Sequence, residues 1–277
     1  MIKIENFEVV GMEHAIRGMR NPKNSWDKSD SVKVQWNTHC IGDSCAMAGT
    51  DKCSTKCHQT SECGVIVGKK DHKLMSDLSS GGPVHAKYRR MIVVYLDITA
   101  PLYWWKEFDT YRVGVTPNPT DIEMNSCSTM HKIHDKKFTL EDFSCEHLMS
   151  YDSELEDYLD ECSDSTVYLG AANPGHVLNI IIGTLNYYRM KFIETGDKKY
   201  WWQMIQLLPS SYNQKRTIML NYEVLTGIYK SRKDHKLDEW REFCKWIEQL
   251  PYSEIITGVR DVDMSKIRQK NYGTKEE

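Results

Sequence analysis

The densest set of potential ligands in the chain is a run of thiols. Cys40, Cys45, Cys53, Cys57 and Cys63 fall in one polar stretch, with His39 and His58 among them. Thiolate and imidazole are the donors that tetrahedral zinc prefers, so the segment holds enough of them for a structural site. No Cys-x-x-Cys pair is present, and free thiols or disulfides fit the same composition. The chain opens MIKIENFEVV, which alternates like a strand and carries no apolar core of a secretion signal. A cytoplasmic setting follows as the expectation, and it favours metal or free thiols over disulfides. The acidic run EHLMSYDSELEDYLDEC reads as a solvated surface segment and not as a metal site. The pairs Trp104-Trp105 and Trp201-Trp202 read as core or interface residues ahead of base-stacking platforms.

The elements that must position any site follow from periodicity. Ile2–Val10 predicts a strand, and Gly11–Arg20 a short helix with Met12, Ala15, Ile16 and Met19 on one face. Asn21-Pro22 ends it. Residues 23–63 are polar and read as an irregular insertion. Asp71–Leu78 predicts a helix stopped by Ser79-Ser80-Gly81-Gly82-Pro83, and Val84–Arg90 a second helical piece. The β-branched run Met91–Thr99 predicts a strand. Pro101 then suits the first turn of a helix over Leu102–Arg112. Thr116–Met124 reads as a loop. Helices are expected over His176–Ile193, Lys198–Leu208, Tyr222–Ser231 and Leu237–Leu250, and a strand over Lys215–Leu220. Trp240, Phe243, Cys244, Ile247 and Leu250 share a face in the last helix. Residues 262–277 read as a polar tail.

Strands and helices without regular βαβ alternation predict an α+β fold: a mixed or antiparallel sheet flanked by helices. Residues 1–261 are expected to form one domain carrying the cysteine-rich insertion. No G-x-G-x-x-G or P-loop is present, which argues against Rossmann and kinase readings. A net charge of −3 gives no basic field for nucleic acid. The longest apolar runs are too short to span a membrane.

Two segments resemble the flavin-dependent thymidylate synthase (ThyX) family. The first is MIVVYLDITAPLYWWKEFDTYR, a strand, an Ala-Pro and an aromatic-rich helix. The family's helix leads to an Arg-His-Arg triplet, which falls here on Thr110, Tyr111 and Arg112. The family's following Asn-Glu-x-Ser-x-Arg falls on Asn125 to Met130; Asn125 and Ser128 match, while Ser126 and Met130 replace the glutamate and arginine. The second segment is LPSSYNQKRTIMLNYEVLTGIYKSRKDHKLDEW. Leu208-Pro209, Asn221 and Arg232 reproduce the family's order and spacing, whereas the family's arginine before Leu-Pro falls on Ile205.

The resemblance implies a ThyX-like fold, a deoxyuridine nucleotide such as dUMP as substrate, and methylene transfer from a folate to its C5. FAD is the implied cofactor, with NADPH and methylenetetrahydrofolate as cosubstrates, in a homotetramer that shares sites between subunits. By the same resemblance Arg232 would face the pyrimidine carbonyl and stabilise charge developing there. Ser128 would sit near the nucleotide phosphate, and Arg112, Asn125 and Asn221 would contact the flavin. Read as residues alone, Arg112 suits a helix C-terminus, Asn221 an N-cap, Ser128 a turn, and Arg232 a surface charge. Cys127, inside the first motif, could in principle act as a nucleophile, but reads first as a small thiol. Met130 and Ile205 cannot donate to a phosphate as arginine does; Lys132, Lys215 and Arg216 are the nearby cations that could replace them. The competing reading is a nucleotide-binding protein that keeps the fold without the synthase chemistry.

Overall fold

The structure is a computed structural model that describes residues 2–33, 64–112, 122–162 and 173–258. The five cysteines of the expected metal segment, Cys40, Cys45, Cys53, Cys57 and Cys63, lie outside these residues, as does the tail at 262–277. The chain divides into two compact units. The smaller comprises Met1–Lys3, Ile98–Asp109 and Asn125–Arg216, and the larger Ile4–Asp97, Thr110–Met124 and Thr217–Glu277. Strands β1 (Lys3–Val10), β4 (Val93–Pro101), β5 (Ile122–Ser126) and β6 (Asn213–Asn221) form one sheet in the order β1-β4-β6-β5. A second, two-stranded antiparallel sheet pairs β2 (Val32–Lys33) with β3 (Val65–Ile66), with Val32 opposite Ile66.

In the larger unit, Gly11 joins β1 to helix α1 (Met12–Arg20) with φ +90°. A Cβ there would lie 2.0 Å from the Met91 carbonyl oxygen, so only glycine fits. Helix α1 buries Met12, Ala15, Ile16 and Met19, the face its periodicity marked. Helix α2 (Lys69–Ser80) is anchored by Asp71, whose carboxylate accepts from Arg20 Nε at 2.6 Å and from the hydroxyls of Ser29 and Ser31. Helix α7 (Tyr222–Arg232) starts where β6 ends, and α8 (Asp238–Ile247) buries Trp240, Phe243, Cys244 and Ile247. A single turn, α9 (Glu254–Thr257), inserts Ile255 and Ile256 into the core.

In the smaller unit, helix α3 (Leu102–Phe108) buries Trp104, Trp105 and Phe108 completely. Trp105 donates its indole N–H to the Gln214 carbonyl, which satisfies the polar end of an otherwise apolar ring. Helices α4 (Ser153–Cys162), α5 (Pro174–Thr195) and α6 (Lys198–Leu207) follow. Leu178, Ile182 and Leu185 of α5 pack with Met204 of α6 and with Ile133, Phe138 and Phe143. Asn173 caps α5 and Asp197 caps α6.

Three local expectations change. The helical piece at 84–90 is a 3-10 turn, Lys87–Met91, and the helix from Leu102 becomes 3-10 over Asp109–Arg112. The end of the expected loop is strand β5. Only Ile122 of that strand is fully buried, with Met124 half-buried at the alternate position, too short a pattern to mark a strand; its place at the end of the sheet order accounts for the exposure of the rest.

Candidate functional site

Helix α7 carries two of the motif residues, one at each end. Asn221 caps it: its side-chain carbonyl accepts from the Val224 N–H at 3.0 Å, and it is 5% exposed. The pull of this bond and the first-turn Glu223 explain why the helix begins there. Arg232 closes the last turn, roughly 16 Å away at the helical rise of about 1.5 Å per residue.

Arg232 is held on several sides. Its Nε donates to the Tyr111 hydroxyl at 2.8 Å, and its guanidinium carbon lies 5.5 Å from the Tyr111 ring and 4.8 Å from the Trp240 ring. Trp240 is fully buried and meets Tyr111 edge-on at 5.8 Å. Nη1 of Arg232 lies 2.8 Å from His235 Nε2, and the Leu237 N–H points at His235 Nδ1 at 3.2 Å. Both neighbours are donors, and a neutral imidazole has one acceptor nitrogen. Only one contact is therefore a hydrogen bond, and the shorter, charge-assisted one from Arg232 takes it. Arg241 fixes the backbone of this turn by donating to the carbonyls of His235 and Lys236. Behind the cluster, burial first and then Glu248 and Asp234 push the Cys244 thiol up to about 12, against the opposing pull of Arg232. That thiol is protonated and inert at neutral pH. The arrangement can present a fixed, delocalised cation to a planar or anionic ligand.

The other motif residues sit elsewhere. Arg112 ends the 3-10 turn Asp109–Arg112, directly after Tyr111; its side chain is outside the described residues. In the smaller unit, Asn125 lies exposed near the end of β5. Ser128 is also exposed, and its hydroxyl accepts from the N–H groups of Met130 and His131 at 3.3 and 2.9 Å. That is the turn geometry expected of serine. Cys127 between them is an exposed free thiol, and its carbonyl accepts from Gln214 Nε2 at 2.7 Å.

At the two positions where the resembling family has arginines, Met130 is exposed and Ile205 packs against the smaller unit's core. Of the cations that could replace them, Arg216 is neutralised: it pairs with Asp109 at 2.8 Å, donates to Gln214 Oε1 and lies 4.3 Å from the Trp105 ring. Lys132 pairs with Asp135 at 3.5 Å. Sequence reasoning missed the clamp on Arg232. Tyr111 was visible only as a departure from a motif, and Trp240 only as a core residue. The signal was there in the i, i+3 spacing of Arg232 and His235 across a helix end.

A separate open cleft of about 540 Å³ in the larger unit is lined by His72, Ser76, Lys230 and Glu254 among others. His72 contacts the Glu254 carboxylate through Nε2. Among the described residues no group of three or more His, Cys, Asp or Glu side chains is placed to hold a metal ion. No helix among them is long and apolar enough to cross a membrane.

No family model matches the chain, and no curated protein matches it in sequence. Solved structures do match it in fold. One is the flavin-dependent thymidylate synthase ThyX from Helicobacter pylori complexed with FAD and dUMP, at TM-score 0.51 and 15% identity over 92% of this chain and 96% of that one. A second structure of ThyX from the same organism, with FAD and dUMP, gives TM-score 0.52 and 15% identity over 92% and 95%. Agreement over nearly the full length of both chains at so low an identity is a likeness of fold, and the fold of this chain is similar to that of ThyX.

Proposed function

We propose that the chain is a nucleotide-handling protein of the thymidylate synthase type, in which Arg232 faces the pyrimidine of a deoxyuridine nucleotide. The observation that carries this is the clamped guanidinium of Arg232 at the end of α7, in a chain whose fold is similar to that of ThyX over nearly its whole length. A planar cation held before a uracil carbonyl would stabilise the negative charge that builds there as C5 becomes nucleophilic. Its fixed geometry would avoid reorganisation at the moment of reaction. Transfer of a one-carbon unit to C5 is the activity that the resemblance implies. By the resemblance FAD is the implied cofactor, with NADPH and methylenetetrahydrofolate as cosubstrates.

The residues fit the pyrimidine better than the flavin. Asn221, matched to a flavin contact, commits its carbonyl to the helix cap and is buried. Met130 and Ile205 offer no donor to the phosphate of the nucleotide itself. Of the flavin contacts that the resemblance implies, Asn221 thus has its carbonyl bound into the fold, and no step is derived through FAD. This same observation favours a second reading, a nucleotide-binding protein of this fold without synthase chemistry.

Two readouts on one preparation separate them. Flavin absorbance in the purified or FAD-reconstituted protein, together with calorimetric dUMP binding, supports the synthase. A colourless protein that binds dUMP supports the binding protein. A colourless protein that binds no dUMP refutes both.

A further inference from the structure

We propose that Tyr111 is a positioning residue for the nucleotide site, holding the Arg232 guanidinium in place through its hydroxyl and ring. The inference deepens the reading above and rests on it. A free arginine side chain samples many rotamers, and ordering it costs as much as about 2 kcal/mol of rotamer entropy. Three contacts remove that freedom before any ligand arrives. The Tyr111 hydroxyl accepts from Nε at 2.8 Å, which fixes the plane of the guanidinium about its last rotatable bonds. The Trp240 ring, 4.8 Å from the guanidinium carbon and fully buried, supplies an apolar floor. His235 Nε2 takes the Nη1 donor at 2.8 Å and so sets the direction of that arm.

Tyr111 is a contact that comes from outside the α7–α8 hairpin, on the 3-10 turn Asp109–Arg112. It therefore couples the aromatic motif segment to the arginine, 121 residues apart in sequence. Trp240 and His235 lie on or beside α8 and would hold Arg232 against that hairpin alone. Without the Tyr111 hydroxyl, Nε loses its acceptor and the guanidinium can turn about the Cδ–Nε axis. Tyr111 itself need not touch the ligand: its effect on binding passes through Arg232.

The test is a double-mutant cycle on dUMP affinity by calorimetry, using Tyr111→Phe, Arg232→Ala and the pair, with the Arg232 Nε–H resonance recorded in ligand-free wild type and Tyr111→Phe. The expected result is a roughly tenfold weaker affinity for Tyr111→Phe, in line with loss of one hydrogen bond to a charged group. It should cause no further loss when Arg232 is already alanine. The Nε–H resonance, slowly exchanging and shifted by the rings in wild type, should broaden or move in Tyr111→Phe. Wild-type affinity in Tyr111→Phe, or additive losses in the pair, overturns the proposal. If wild type itself binds no dUMP, the functional reading fails; an unchanged Nε–H resonance in Tyr111→Phe then shows separately that Tyr111 does not hold Arg232.

Discussion

Arg232 changes character between sequence and structure. As one cation in YKSRKDHK it reads as a solvated charge whose loss would cost little. In the structure it is half-buried, bonded to Tyr111 and His235 and stacked near Trp240. Its removal leaves two acceptors without their donor and an opening beside a buried indole. Arg232→Ala is therefore expected to destabilise the ligand-free protein by about 1–3 kcal/mol, the usual cost of unpairing buried polar groups. Thermal or denaturant unfolding measures this, and an unchanged midpoint would mean that the clamp contributes nothing to folding. The resemblance, through its order and spacing, singled out Leu208-Pro209, Asn221 and Arg232, which mark the end of α6, the cap of α7 and its last turn. Their contacts were not. Tyr111 reaches Arg232 through tertiary folding across 121 residues, and nothing in local periodicity encodes such a pairing.

Among the elements, α9 depends on a titratable contact. Glu254 in that single turn meets His72 on α2, and α9 is also tied down by Arg89 Nη1 donating to the Ile255 carbonyl. The hydrogen bond that His72 donates to the Glu254 carboxylate, opposed by burial and aided by the charge of Glu254, raises the His72 pKa above the usual histidine value. A raised folded-state pKa means that the folded protein binds the proton more tightly than the unfolded chain. The contribution is thus fully present below the unfolded value of about 6.5 and is lost as pH rises through the higher folded value. Because His72 is 39% exposed, solvent screening limits the effect to well under about 1 kcal/mol. Amide hydrogen exchange in Ser253–Gly258, corrected for intrinsic rates, should accelerate as pH rises above the ordinary histidine value of 6.5 in wild type and stay flat in His72→Gln. Equal pH profiles in the two proteins would dismiss the contact as a stabilising one. The elements most legible in the sequence were those with a strong apolar stripe, α1 and α8. Strand β5 and turn α9 were missed because each buries only one or two side chains, too few to leave a period.

For the molecule as a whole, α5 poses a question of what covers it. Leu178, Ile182 and Leu185 are buried on one side, yet Ile180, Tyr187 and Ile193 on the others are 53%, 51% and 56% exposed. A helix apolar all round is ordinarily buried all round, and exposed apolar faces of this kind mark interfaces. The expected outcome in light scattering is a homo-oligomer of closed symmetry, dissociated or weakened by Ile180→Asp with Ile193→Asp. A concentration-independent monomer would leave this face unexplained and would count against a site shared between subunits. The α+β class and most of the helices were legible from patterning. The division into two units was not, because β4, β5 and β6 each contribute residues to both, and no change of composition marks the crossing.

Whether Arg232 meets a deoxyuridine nucleotide is tested most directly by calorimetry of dUMP with wild type, Arg232→Lys and Arg232→Ala. A charge-assisted bond in a half-buried setting is worth about 1.5–3 kcal/mol, so Arg232→Ala should bind roughly one to two decades more weakly than wild type. Arg232→Lys should recover only part of the loss, since an ammonium keeps the charge without the planar fork. Equal affinities in the three proteins, or no binding by wild type, would contradict that contact.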